Sequence, residues 1–369
     1  MGKKNSKETL YSVLILLPSI ILIAVFVYGF IGTTIYSSMT DWKGMSVDPI
    51  KNFIGLDNYK SLFTSFINKG FRQDLVNTVT YTIFLLAGTL IFGLLLAILL
   101  DRSVKKEGIY RTIFLYPMAL SFIVSGTVWR WLLAPSGGLN AIPTWFGNSQ
   151  GTFQWISSKK QIWQFNWQNI FKVLALVIAV VFIIFLINSI INENKKATKR
   201  NSIVVAILLI FAFIIQPLLP PAIATEELHG FNLATIGILL AGIWQYSGYA
   251  MALYLAGLRG LSASIKESAK LDGASEFTYY TKIAIPNLKP ITMSAVVIMA
   301  HISLKLFDLI YAMAGTDNAF TGHPSIRMYT TTFRANKLAL GSAMAVILFI
   351  CAAMFIIPYM IHSHKERLQ

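Results

Sequence analysis

Two charges stand where charge is costly. Lys305 and Asp308 interrupt an apolar run three residues apart, a spacing that places both side chains on one face of a helix. Ionised groups at hydrocarbon depth face a cavity or one another. The pair therefore either neutralises itself and positions its helix, or lines a path for a polar solute; Ser303 and Tyr311 reach the same sector. A second interruption, Trp244-Gln245-Tyr246-Ser247-Gly248-Tyr249, mixes rings with hydrogen-bonding groups inside another apolar run. Trp244, Gln245, Tyr246 and Tyr249 can supply the stacking surface and polar contacts that hold a polyhydroxylated ligand. The alternative is an aromatic belt at a membrane interface.

A third constellation is polar throughout, from Arg259 to Lys289. Ser264-Ile265-Lys266-Glu267 has the spacing of a capping box, in which Ser and Glu satisfy exposed backbone N–H groups reciprocally. Gly273 follows the short helical run, where a residue tolerant of positive φ lets the chain reverse. A second helix is expected from Ser275, with Phe277, Tyr280 and Ala284 on one face, ended by Pro286 and Pro290. The unit reads either as an amphipathic connector or as a rigid knob that passes motion to a partner.

Other chemistries lack their residues. The five histidines are His229, His301, His323, His362 and His364, and they show no zinc spacing. No nucleophile–base signature stands out, and no glycine-rich phosphate loop ending in Gly-Lys-Ser/Thr is present. Cys351 is the only cysteine, so no intrachain disulfide can form.

The elements that must position these residues are membrane spans. Of 369 residues, 55% are apolar and 13% charged, about half the charge of a typical soluble protein at roughly 25%. The apolar residues fall in blocks long enough to cross a hydrocarbon core of about 30 Å. Eight blocks qualify, at Leu10–Ile31, Val76–Leu100, Ile113–Leu133, Ile170–Ile191, Ile203–Ala224, Leu233–Leu255, Ile291–Met313 and Ala339–Ile361. The first follows Lys3, Lys4 and Lys7 but is longer than a secretory signal. Lys and Arg then alternate between segments so as to place both termini in the cytoplasm. The net charge of +15 is dispersed in short clusters between spans, which argues against nucleic-acid binding.

The loop also carries a family pattern. Glu267-Ser268-Ala269, three residues, Gly273, nine residues and Ile283-Ala284-Ile285-Pro286 resemble the Glu-Ala-Ala…Gly…Ile-x-Leu-Pro signature of binding-protein-dependent ABC permeases, with Asp272 before the glycine. Ser268 replaces an alanine and Ile285 a leucine. Phe53–Tyr59, Tyr110–Pro117, Trp129–Pro135 and Phe307–Tyr311 are similar to the sugar-permease group, and within it to the larger permease of maltose-type systems.

The resemblance implies an all-α polytopic membrane protein of a bacterial cell membrane with a six-span importer core; Ile170–Ile191 and Ile203–Ala224 depart from that pattern as one extra transmembrane hairpin. The chain is then expected to divide into a first span in 1–40, an outer loop at 41–75, spans two and three in 76–140, an outer segment with the inserted hairpin at 141–232, and a permease core at 233–369 with a coupling loop at 258–289. Glu267, Ser268, Ala269, Asp272, Gly273, Ile283 and Pro286 would meet the ATPase. Trp244, Gln245, Tyr246, Tyr249, Ser303, Lys305, Asp308 and Tyr311 would line the solute pathway. The expected partners are a second permease, two ATPase subunits that bind ATP and Mg, an extracytoplasmic solute-binding protein, a sugar-like solute and lipid. The chain itself would hold no cofactor and catalyse no reaction. The competing reading is an ion- or proton-coupled transporter using Lys305 and Asp308.

Overall fold

A backbone in hydrocarbon must satisfy its own hydrogen bonds, and long apolar runs do so as helices. The computed structural model describes residues 6–44, 52–102 and 104–366. Lys3, Lys4 and Arg367, which enter the orientation reading, lie outside them. Among the described residues six helices are long and apolar enough to cross a membrane, and eight spans result when two sharply bent helix pairs are counted as one each.

The first rod is α1 (Ser6–Ile23), continued through a π turn at Ala24–Gly29 into α2 (Phe30–Ser38). A short outer helix, α3 (Asp57–Thr64), precedes α4 (Lys69–Asp101), which begins before the expected Val76. The expected continuous span Ile113–Leu133 is instead α5 (Glu107–Ala119) and α6 (Phe122–Leu132), bent by 97°. Pro117 contributes no N–H to α5, and Ser121 starts α6 by accepting from the Val124 N–H.

After α7 (Ile142–Trp145) and strand β1 (Gln161–Asn166), the inserted hairpin rises as α8 (Ile170–Ile191), at the bounds expected from its aliphatic run. Its return helix α9 (Lys195–Ile210) runs on through π and 3-10 turns to Leu218, so it sits earlier in the chain than the expected Ile203–Ala224. Strand β2 (Leu228–Asn232) then pairs antiparallel with β1, and the Trp167 N–H donates to the Glu227 carbonyl at 2.8 Å. The hairpin thus leaves and rejoins the core at one point. Asn201 Nδ2 donates to Ser189 Oγ at 3.0 Å, pinning α9 to α8.

The core is built on α10 (Ala234–Gly260), which lies along α4 and α5. Gly248 permits the closest approach: a Cβ there would collide with the carbonyl of Phe114. Small residues at such crossings are what allow helices to pack tightly in lipid. The polar loop follows as α11 (Ala263–Leu271), α12 (Glu276–Tyr279) and α13 (Ile285–Asn287). Next comes α14 (Lys289–Ser303), bent by 66° from the segment before it. Then α15 (Phe307–Ala314), α16 (Pro324–Tyr329) and α17 (Leu338–Glu366) complete the chain.

A buried polar clamp fixes the end of α4 remote from that loop. Arg72, with its side chain wholly buried, donates from Nη2 to Glu227 Oε2 at 2.6 Å and from Nη1 to the Leu62 carbonyl at 2.8 Å. Glu227 Oε1 lies 2.9 Å from His229 Nε2, and His229 Nδ1 lies 2.9 Å from Gln73 Oε1. Burial pushes the His229 imidazole below its ordinary pKa against the pull of Glu227. Asp74 pairs with Arg327, and Asn77 Nδ2 donates to the Gly322 carbonyl at 2.9 Å.

Candidate functional site

The polar loop folds as a helix–turn–helix, with one correction. The N-cap of α11 is Ser262 rather than Ser264, and neither serine caps the helix backbone; their hydroxyls lie 3.0 Å apart. The capping box expected from Ser264 and Glu267 therefore does not form, because α11 already starts at Ala263.

The turn does form as expected. Gly273 has φ of +75°. Its N–H donates to the Lys270 carbonyl at 3.0 Å, and the Ala274 N–H donates to the Ala269 carbonyl at 2.9 Å. This paired closure is a Schellman motif, which satisfies the last carbonyls of α11. Ser275 then caps α12 by accepting from the Thr278 N–H at 3.2 Å. Of the face expected to be shared, Tyr280 and Ala284 are buried whereas Phe277 is exposed. Pro286 lies at the start of α13, and Pro290 opens α14 rather than ending the helix before it. The chain bends between them, at Leu288.

What holds the knob is a residue the sequence reading passed over. Asp101, the last residue of α4, accepts from the Tyr280 hydroxyl at 2.7 Å and from Lys266 Nζ at 3.3 Å. Arg102 pairs with Glu276 at 3.0 Å, and Arg259 pairs with Glu107 at 2.6 Å. Ala269 is turned inward, while Glu267, Ser268, Leu271, Asp272 and Gly273 are exposed. Leu271 is 89% exposed and Phe277 76%, so the tip presents apolar as well as acidic groups. Ile283 is half-buried and Pro286 exposed.

The second region lies where α6, α10 and α15 converge. Tyr246, Leu309, Ile310 and Met313 form a buried cluster, with Phe122, Trp129, Tyr249 and Phe307 against it. Trp244 meets Trp129 edge-on at 5.8 Å between centroids, and Phe307 stacks on Tyr311 at 5.5 Å. Trp244, Lys305, Asp308 and Tyr311 are exposed around this cluster, and Asp308 lies within electrostatic reach of Tyr246.

Two expected lining residues do other work. Gln245 is buried and donates from Nε2 to the carbonyls of Pro117 at 2.7 Å and Leu120 at 3.2 Å. These are carbonyls at the α5–α6 break, so Gln245 latches the bend rather than facing an open path. Ser303 is also buried, its hydroxyl 2.7 Å from that of Thr82, joining α14 to α4.

The pairing of Lys305 with Asp308 is also corrected. The expected span Ile291–Met313 breaks after Ser303, so Lys305 sits in the break and Asp308 in the first turn of α15. They do not share a helical face, and no ion pair joins them among the described residues. Asp308 instead stands at a helix N-terminus, where the backbone dipole favours a carboxylate.

Comparison with known proteins agrees with this architecture. Residues 201–367 match the family described as binding-protein-dependent transport system inner membrane component. A probable ABC transporter permease of Pyrococcus horikoshii is 32% identical, over 98% of this chain and 98% of its own length. A xylose/arabinose import permease of Haloferax volcanii is 27% identical over 94% of this chain and 86% of its own. The crystal structure of a bacterial ABC transporter involved in the import of the acidic polysaccharide alginate contains a chain of the same fold. That match has a TM-score of 0.63 and 18% identity, and covers 97% of this chain and 96% of that one. By residue pattern, helical architecture and full-length similarity, the chain belongs to the family of ABC transporter permeases, the inner-membrane components of binding-protein-dependent transport systems.

Proposed function

We propose that this permease imports a sugar or sugar-like solute through the cell membrane by alternating access, driven by ATP hydrolysed on partner subunits. It pairs with a second permease around one pathway. Two ATPase subunits bind the α11 side, and a solute-binding protein delivers cargo from the opposite side.

The observation that carries this reading is the build of α11. A glycine-closed helix leaves Glu267, Leu271 and Asp272 uncovered at its tip, while Asp101, through Lys266 and Tyr280, ties its base to α4. Force applied at the tip is thereby delivered to a long core helix. Closure of the ATPase pair would move this knob as a rigid body. The pathway would respond at the breaks in the helices around Leu120 and Leu304, near mid-membrane where transporters commonly bind cargo.

Carbohydrate as cargo is supported by the name of the Haloferax relative and by the Trp244, Tyr246, Tyr249 and Tyr311 rings around α10 and α15. Both termini and the α8–α9 turn share the ATPase side. Purification from the native membrane, followed by identification of attached subunits and solute, tests the assignment. Recovery of an ATPase and a second permease is expected. Ion-gradient-driven uptake by this chain without any ATPase would contradict it.

A further inference from the structure

The inserted hairpin has a surface that the transport reading leaves unused. Four cations, Lys195, Lys196, Lys199 and Arg200, stand in the first two turns of α9, and all four are exposed. At about 100° per residue they occupy a single arc of roughly 140°. Asn201 and Val205, which are buried towards α8, lie on the opposite side of the helix. None of the four cations forms an ion pair among the described residues; Arg200 reaches only the side chain of Asn201, at 3.4 Å. Glu193 is the single acidic residue of the turn.

The same arc continues along α9 as aliphatic surface. Ile203, Ile207 and Ile210 fall on it and are 50%, 59% and 49% exposed. One stripe therefore begins with four unpaired cations where the helix enters the membrane and continues as bare isoleucine into the hydrocarbon. Its length and order of polarity match a phospholipid with an anionic headgroup: phosphate against the cations, acyl chain along the isoleucines. Among the described residues the hairpin packs chiefly on itself and joins the core mainly at the β1–β2 ribbon, so lipid can reach this face.

We propose that the α9 stripe is a binding site for anionic phospholipid, through which the inserted hairpin anchors the permease to its membrane. Lysines and arginines at the membrane surface attract such headgroups. The same cations can also serve simply to retain the turn on one side during insertion. The two roles differ in whether lipid stays bound after folding.

The test is retention of phosphatidylglycerol by the purified full chain, read by native mass spectrometry in detergent against phosphatidylcholine at equal amount. Each basic residue is worth about fourfold to sixfold in affinity, so Lys196→Gln with Arg200→Gln is expected to lower retention at least about tenfold. Ile207→Ser should lower it less, and phosphatidylcholine should be retained poorly by all variants. If a variant does not insert, the wild type still decides: retention must fall as salt rises from about 0.1 to about 0.5 M. Unchanged retention in the charge variant, salt-insensitive retention in the wild type, or equal retention of phosphatidylcholine would overturn the proposal. So would full displacement by inorganic phosphate at equal phosphate concentration, which would mark a simple anion site.

Discussion

Arg72, its side chain wholly buried, is held by Glu227 and by the carbonyls of Leu62 and Ser65. Removing one partner of a buried pair is costly, about 3–5 kcal/mol, whereas replacing both by apolar side chains is often neutral. Arg72→Met or Glu227→Leu alone should therefore lower the melting temperature sharply, while the double replacement recovers most of the loss, as measured in the same detergent. Lys305 and Asp308 should behave the opposite way. They do not pair, so replacing both should not recover the loss caused by replacing either one; a double variant more stable than either single variant would restore the pair. Trp244→Ala and Tyr249→Ala should raise the solute concentration needed for half-maximal uptake by roughly 3- to 10-fold with assembly intact, the worth of lost ring contacts. The residue chemistry was only partly legible. Glu227 and His229 lie 155 and 156 positions from their partners in α4, and no local pattern announces such a meeting. Gln245 read as a solute ligand because a buried amide and a lining amide look alike in sequence; only the carbonyls of Pro117 and Leu120 distinguish them.

Elements were legible in proportion to how local their causes are. The bounds of α8 follow from an aliphatic run bracketed by Asn169 and Asn192, and the turn at Gly273 follows from positive φ. The breaks at Leu120 and Leu304 were hidden because hydropathy averages across them, and each is stabilised by a neighbour: Gln245 at the first, Thr82 against Ser303 at the second. The β1–β2 ribbon was hidden because its two strands, Gln161–Asn166 and Leu228–Asn232, are separated by the whole inserted hairpin, and no local pattern announces their pairing. The ribbon makes a specific outcome expected for the hairpin. Deleting residues 168–226 and joining Trp167 to Glu227 through Asn-Gly, a two-residue turn suited to antiparallel strands, should leave a permease that inserts and keeps its solute preference. Uptake assays against a panel of sugars check this, and an altered preference would place the hairpin in the pathway.

At the scale of the whole molecule, one continuous route joins the tip of α11, through Asp101 at the foot of α4 and the α4–α10 contact, to the α6–α10–α15 cluster; under the proposed function it carries ATPase motion to the solute. The family was legible because its signature lies in one contiguous loop, whereas the route through Asp101 was not, since it depends on where α4 ends relative to Tyr280. Proline at position 273 cannot adopt the φ of +75° found there and would delete the N–H that closes α11 onto Lys270, so it distorts the knob without touching the spans. Lysine at position 267 keeps the helix but reverses the charge it offers. The most direct measurement is ATP-driven solute uptake in proteoliposomes for Gly273→Pro and Glu267→Lys, alongside the amount of ATPase that co-purifies with each. Both variants should reach the membrane in normal amount yet lose uptake, through a detached ATPase or through hydrolysis that no longer moves solute. Wild-type uptake with either variant would contradict a coupling role for this loop.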